Sequence, residues 1–307
     1  MKPPHLLPNL LGHANSIEAV AVSPDGDVAL SGSTDGILKA WNVPGGEAQF
    51  SLRAHDGSIE AIAVDRSGRI AVSAGLDSTV RLWELREEKE TRTVEVTATP
   101  GDLAIADDGT VVMASGHGAL AVWDSHGVRT VRTGSDHRFE LLPCAVAQGG
   151  RAAILVEPGT DRQFMTIFDL AMGVSQRLVT DSQAQSVAIT FDGQVAAAGL
   201  PDGTVRVWAV KDGRELYKLV GHLYLVTSVV MTPDARRLVS GAGDRTLRVW
   251  DLVASQHEAA VELQAAAVVA LDSEVSCVAA SSEGLTIIAG DKSGAVSCFR
   301  LWDPPLW

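Results

Sequence analysis

Apolar residues in this 307-residue chain fall in short runs, not in the three-to-four spacing of a helical stripe. The run Ile17-Glu-Ala-Val-Ala-Val22 is β-branched and alternates, which predicts a strand with one buried face. Ser23-Pro-Asp-Gly26 then predicts a tight turn, since proline presets one backbone dihedral and glycine supplies a positive φ. A second strand is predicted over Val28 to Gly32, a turn at Thr34-Asp-Gly36, and a third strand over Ile37 to Val43. After the turn Pro44-Gly-Gly46, Glu47 to Leu52 makes a fourth, outer strand. No segment has the length and period of a sustained helix.

The same forty-residue pattern recurs. Residues 12–41, "GHANSIEAVAVSPDGDVALSGSTDGILKAW", align without a gap to 54–83 and to 221–250. Weaker copies end at Trp123, Phe168, Trp208 and Phe299. The anchors Trp41, Trp83, Trp123, Phe168, Trp208, Trp250 and Phe299 are separated by 42, 40, 45, 40, 42 and 49 residues. Four short strands per forty residues make one propeller blade, and seven copies fill the chain. The expected units are approximately 12–52, 53–94, 95–134, 135–179, 180–220, 221–263 and 264–305, in a single domain.

The Gly-His start, the Ser-Pro-Asp-Gly turn, the Ser-Gly-x-x-Asp turn and the closing Trp123-Asp124 and Trp250-Asp251 resemble the WD-repeat family. The copies are similar to those of bacterial WD-repeat proteins, and the resemblance covers essentially the whole chain. It implies an all-β fold, a seven-bladed β-propeller of four-stranded antiparallel blades. It also implies a hydrogen-bonded tetrad inside a blade. Three blades match that tetrad at intervals of 18, 4 and 6 residues: His13, Ser31, Asp35 and Trp41; His55, Ser73, Asp77 and Trp83; His222, Ser240, Asp244 and Trp250. A half-buried imidazole and indole N–H need partners, which the hydroxyl and carboxylate supply. Ser, His and Asp together also fit a catalytic triad. Recurrence in three repeats, each with an indole attached, marks a structural latch instead. The other blades depart from the pattern. The third has Glu95, Met113, His117 and Trp123; the fifth keeps Asp202 and Trp208 beside Thr180 and Ala198; the seventh has Ser293 and Phe299. Those blades must rely more on packing.

A ring of repeats must not leave its first and last sheet edges open. Only eight residues follow Phe299, too few for a turn plus an outer strand. Leu10-Leu-Gly-His13 aligns with Leu219-Val-Gly-His222, the end of an outer strand. Residues 5–11 are therefore expected to supply the outer strand of the last blade.

In the family, partners usually bind the face that carries the Gly-His loops and Asp turns, around the channel mouth. By position the tops of the inner strands carry Glu18, Glu60, Gly101, Leu142, Gln185, Thr227 and Ser276. Glu18 and Glu60, with Asp56 close in sequence, form either an acidic patch for a partner's Lys or Arg, or ordinary solvated loop charge. Leu223-Tyr-Leu225 is apolar where the family is often polar; it is either an interface anchor or packs over the next blade. Phe139 and Leu141 are a similar pair in blade four. Trp302 and Trp307 either cover the last blade or present Trp307 to a partner.

Charge narrows the partners. The net charge of −13 argues against gripping phosphates and against a generic attraction to anionic membrane. Cys144, Cys277 and Cys298 lie in strand-like runs and read as buried small hydrophobes in a reducing compartment. Met1-Lys-Pro-Pro-His lacks the apolar stretch of a secretory signal, and no run approaches a membrane span. A cytoplasmic protein, monomeric by itself, is expected. The remaining histidines show no metal-ligand spacing, and no phosphate-loop motif occurs. The expected function is a non-catalytic scaffold or sensor, without cofactor, binding a protein or peptide partner on the top face. Its effector would act in trans. The alternative is a small-ligand or metal-dependent enzyme propeller with its site at the channel mouth.

Overall fold

The computed structural model describes residues 5–7, 10, 12–65, 67–96, 100–106, 109–115, 120–124, 127–132, 143–147, 152–157, 163–170, 174–180, 182–232, 234–252, 260–281 and 286–301. These form seven antiparallel sheets, one per blade, with no helix among them. Blade one contains Ile17–Val22, Val28–Ser33, Ile37–Asn42 and Ala48–Arg53 in sequence order from channel to rim. The four boundaries fall within a residue or two of those the alternation predicts. Blade two repeats the plan with Ile59–Val64, Ile70–Gly75, Thr79–Glu84 and Lys89–Glu95.

The second strand of a blade is buried over nearly its whole length. Val28–Ser33, Ile70–Gly75 and Arg237–Ala242 are buried almost throughout, because both faces pack on neighbouring blades. Alternation therefore gives way there to a continuous apolar run. The core lies between blades, not within one. Leu30 and Leu38 of blade one pack with Ile59, Ile62 and Trp83 of blade two. Val229, Leu238 and Trp250 of blade six pack with Val205, Val207 and Leu219 of blade five.

The ring closes through the N-terminal strand. His5 pairs with Arg300 and Leu6 with Phe299, antiparallel, on the outer edge of blade seven. The Leu7 N–H donates to the Cys298 carbonyl at 3.0 Å, and a bridge joins buried Leu10 to Val296. Blade seven is thus built from both ends of the sheet order: Val275–Ala280, Thr286–Asp291, Val296–Arg300, then His5–Leu6.

One boundary differs from expectation. The sixth unit was expected to end at 263, but its outer strand is Ala267–Ala270. Val261–Leu263 instead adds in parallel to Glu215–Leu219, giving blade five a fifth strand. The spacing from Trp250 to Phe299 is the longest in the chain. Within it Val261–Leu263 lies on the rim of blade five and Ala267–Ala270 on that of blade six.

Candidate functional site

Blade two shows how a tetrad is built. The Trp83 indole N–H donates to Ser73 Oγ at 2.9 Å, and that hydroxyl lies 2.7 Å from His55 Nε2. His55 Nδ1 faces Asp77 at 3.0 and 3.1 Å. With the indole donating, the serine proton goes to Nε2 and the imidazole donates from Nδ1 to the carboxylate. Asp77 also receives the backbone N–H groups of Asp56 and Thr79. Burial pushes the Asp77 carboxyl up, but these donors and the Thr79 hydroxyl outweigh it and hold it at about 2. Burial lowers His55 despite the pull of Asp77, so the imidazole is neutral at pH 7.

Blade six repeats this. Trp250 donates to Ser240 at 2.9 Å, Ser240 meets His222 Nε2 at 2.8 Å, and His222 Nδ1 reaches Asp244 at 3.0 Å. In both blades a further group completes the set. Thr79 Oγ1 donates to Asp77 Oδ1 at 2.7 Å and lies 3.1 Å from His55 Nδ1; Thr246 does the same for Asp244 and His222. These threonines were overlooked in the sequence, although both stand two residues after the aspartate.

Blade one is a correction to the expectation of three equal tetrads. Trp41 and His13 both reach Ser31, at 2.9 and 2.8 Å. Asp35 does not reach His13. It takes the Ile37 N–H and the Asn15 side-chain amide, and His13 Nδ1 is buried without a partner. Ile37 occupies the position of Thr79 and Thr246, so no hydroxyl holds the carboxylate against the ring. Burial, then the charge of Lys39, lowers His13 to about 4. In blade three Met113 stands in the serine position, and the buried Trp123 indole N–H has no acceptor among the described residues. The Arg92 guanidinium lies 4.7 Å from that ring's centroid.

The tetrads shape the top face, because each fixes a loop above the neighbouring turn. Gly203 has φ +80°, and a Cβ there would strike the His222 carbonyl. The Asp202-Gly203 turn of blade five therefore packs beneath the Gly-His loop of blade six. Gly36 stands in the same relation to His55.

Such a profile of buried latches and stacked turns has a counterpart among known repeats. Residues 5–42, 46–84, 177–209 and 213–251 match the WD domain, G-beta repeat. The chain belongs to the WD-repeat family. All four matches begin in or just before an outer strand and end in the third strand of the next blade, so the repeat straddles two blades. The chain is 26% identical over 152 residues to Autophagy-related protein 16 of Arabidopsis thaliana, covering 49% of this chain and 30% of that protein. It is 33% identical over 135 residues to WD repeat and SOCS box-containing protein 1 of Homo sapiens, covering 41% and 30%. An uncharacterized WD repeat-containing protein of Synechocystis is 40% identical over 91 residues, covering 28% and 26%. The matches span less than a third of the length of these relatives.

In this WD-repeat protein the inner strands surround a channel cavity of 680 Å³. Glu18, Glu60, Gly101, Gln185, Thr227 and Ser276 line it; Leu142 lies outside the described residues. Glu18 accepts from Ser16 Oγ at 2.7 Å. Asp56 lies apart on the loop after His55, exposed and 3.5 Å from Arg53. Among the described residues no group of three or more His, Cys, Asp or Glu is placed to hold a metal ion. Leu223, Tyr224 and Leu225 are exposed to 81, 64 and 42%, so they do not pack over the next blade. Phe139, Leu141, His117, Trp302 and Trp307 lie outside the described residues. No helix among the described residues is long and apolar enough to cross a membrane.

The blades are joined around the channel by bonds between inner strands. Ser186 Oγ donates to the Val226 carbonyl, the Val278 N–H donates to Ser228 Oγ, and Thr227 Oγ1 donates to the Val275 carbonyl. Between blades three and four the acceptor is a carboxylate: the Val146 N–H donates to Asp102 Oδ2 at 2.7 Å. Burial raises the Cys144, Cys277 and Cys298 thiols, Cys298 to about 12, so none is a ready nucleophile at neutral pH.

Proposed function

We propose that this propeller is a non-catalytic interaction ring that holds a protein or peptide partner on its top face. The observation that carries this reading is the Leu223-Tyr224-Leu225 loop. Three large apolar side chains stand in solvent on a backbone that is not free to collapse. The Leu223 N–H is tied to Asp244 at 3.0 Å, and Asp244 is tied to His222. A fixed loop presenting Tyr and Leu loses little conformational entropy when a partner covers it. The Ser-His-Asp sets support a latch role over chemistry: Ser31, Ser73 and Ser240 are fully buried, and each hydroxyl is already engaged by an indole and an imidazole. Relatives whose names pair WD repeats with other modules fit a ring used for binding within larger proteins.

The test is affinity capture with the protein as bait, in parallel with Tyr224→Ala. The expected result is one stoichiometric protein, lost in the variant while melting stays within about 0.5 kcal/mol of wild type, as for an exposed substitution. Capture unchanged in Tyr224→Ala overturns the assignment to this loop.

A further inference from the structure

The outer strand of a blade has one side free of the sheet, and its unpaired N–H and C=O groups invite a further strand. Six of the seven outer strands carry a safeguard. Ala48–Arg53 displays Arg53, Lys89–Glu95 displays Lys89 and Arg92, Gly127–Arg132 displays Arg129, and Val174–Thr180 displays Arg177. Glu215–Leu219 is covered by Val261–Leu263, and His5–Leu6 is two residues long. Ala267–Ala270 of blade six has none of these devices. It is the last strand of its sheet among the described residues, and the run from Gln264 to Leu271 carries no charge. Val268 is 52% exposed.

The backbone of this strand turns outward at two residues. The Leu271 N–H donates to the Arg245 carbonyl at 2.8 Å, and in the same register Val269 faces Leu247 and Ala267 faces Val249. Backbone groups alternate in direction along a strand, so the N–H and C=O of Val268 and Ala270 point away from the sheet. The rim already accepts an apolar strand elsewhere: Val261 and Leu263 pack on the blade-five cluster that holds Tyr217 and Leu219.

We infer that the blade-six edge joins a second copy of this chain, strand to strand and antiparallel, in a twofold dimer. With Val268 opposite Ala270 of the partner subunit, the outward groups of both strands make four backbone bonds. Val269 then meets its own counterpart on the axis, in a pair whose side chains lie close. Every pair from 267 to 271 is apolar, so the contact buries no charge. A charged strand finds no countercharge along this run, whereas an identical strand matches it. Asp272 is the acid next to the run; in this register its two copies lie about 20 Å apart, six residues along the strands. That exceeds the ~8 Å screening length at physiological salt. The same patch serves both subunits, so the assembly stops at two. Four residues bury less than the ~1,200 Å² of a standard interface, which sets a reversible dimer with a Kd on the order of 10–100 µM.

Sedimentation velocity of the whole protein, from roughly 5 to 500 µM, tests the dimer across that range of affinity. The expected result is a reversible shift from monomer to dimer mass, unchanged in Tyr224→Ala. Two variants address the edge. Val268→Lys restores the guarding charge that other rims carry. Val268→Pro removes an N–H that makes no bond within the blade, so the sheet keeps its ladder. Each should weaken association at least about tenfold with melting near that of wild type. Val269→Cys fixes the register: its thiols meet on the axis and should form a disulfide-linked dimer under mild oxidation, which wild type should not. A wild type that stays monomeric at the highest concentration overturns the inference. So does a dimer that survives in a folded Val268 variant, or a Val269→Cys protein that does not cross-link. If the Val268 and Ala270 amides slow in hydrogen exchange only when a different protein is bound, the edge belongs to that protein's strand and the dimer is refuted.

Discussion

Ile37 explains why blade one has an incomplete latch, and replacing it should complete the latch. The geometry to copy is that of Thr79, whose hydroxyl lies 2.7 Å from Asp77 and 3.1 Å from His55 Nδ1. In Ile37→Thr the hydroxyl is expected to draw Asp35 toward His13. His13 Nδ1, now buried and unpartnered, would gain an acceptor, removing a penalty of about 1–3 kcal/mol. The new hydroxyl-to-carboxylate bond adds about 0.5–1.5 kcal/mol. Against this, the half-buried isoleucine gives up apolar surface worth about 1 kcal/mol. The net expectation is a stabilisation of about 0.5–3.5 kcal/mol.

The same change carries a titration signature. His13 is lowered from 6.5 to about 4 by burial first and Lys39 second. A base lowered in the folded state contributes stability that is complete above pH 6.5. That stability is lost as pH falls toward 4. Bringing Asp35 against the ring raises the His13 value, so the variant should lose less stability on acidification. Urea unfolding at pH 7 and 5, with unchanged m-values, measures the first effect. Proton NMR titration of the imidazole measures the second. His13 still titrating near 4, with a urea midpoint at or below wild type, would refute the threonine's role.

Two further outcomes bear on the ring. Ser73→Ala strands the Trp83 N–H and His55 Nε2 in a buried site and should cost about 2–5 kcal/mol, read by urea unfolding; a loss under about 0.5 kcal/mol would show that the hydroxyl does not join them. Deleting residues 1–11 removes the strand on Val296–Arg300 and the buried Leu10 side chain, and should cost at least about 2 kcal/mol where a frayed terminus costs almost nothing; unchanged melting would contradict the closure.

Sequence alone was sufficient for the blade. A strand's period of two and turns such as Ser23-Pro-Asp-Gly26 are local, so each unit declares its own four strands. The closure was legible for a related reason: an outer strand must pair with something, and Leu10-Leu-Gly-His13 matches Leu219-Val-Gly-His222, the end of an outer strand. The residues 18 and 4 apart in each tetrad were equally visible, since antiparallel pairing within one sheet holds them at fixed offsets.

What needed the tertiary structure were relations between groups whose offsets no repeat fixes. The sequence shows isoleucine at 37 where threonine stands in the other two blades, but that Asp35 then turns from His13 to Asn15 depends on whether the carboxylate gains more from the ring or from the turn. The rim strand Val261–Leu263 joined blade five because an open strand edge in space offered pairing, while the repeat count assigned those residues to blade six. Asp102 sits 44 residues from the amide it binds, in a different repeat, so no offset within one unit announces the bond. Periodic local geometry is written along the chain, whereas burial and inter-blade pairing exist only once the ring has closed.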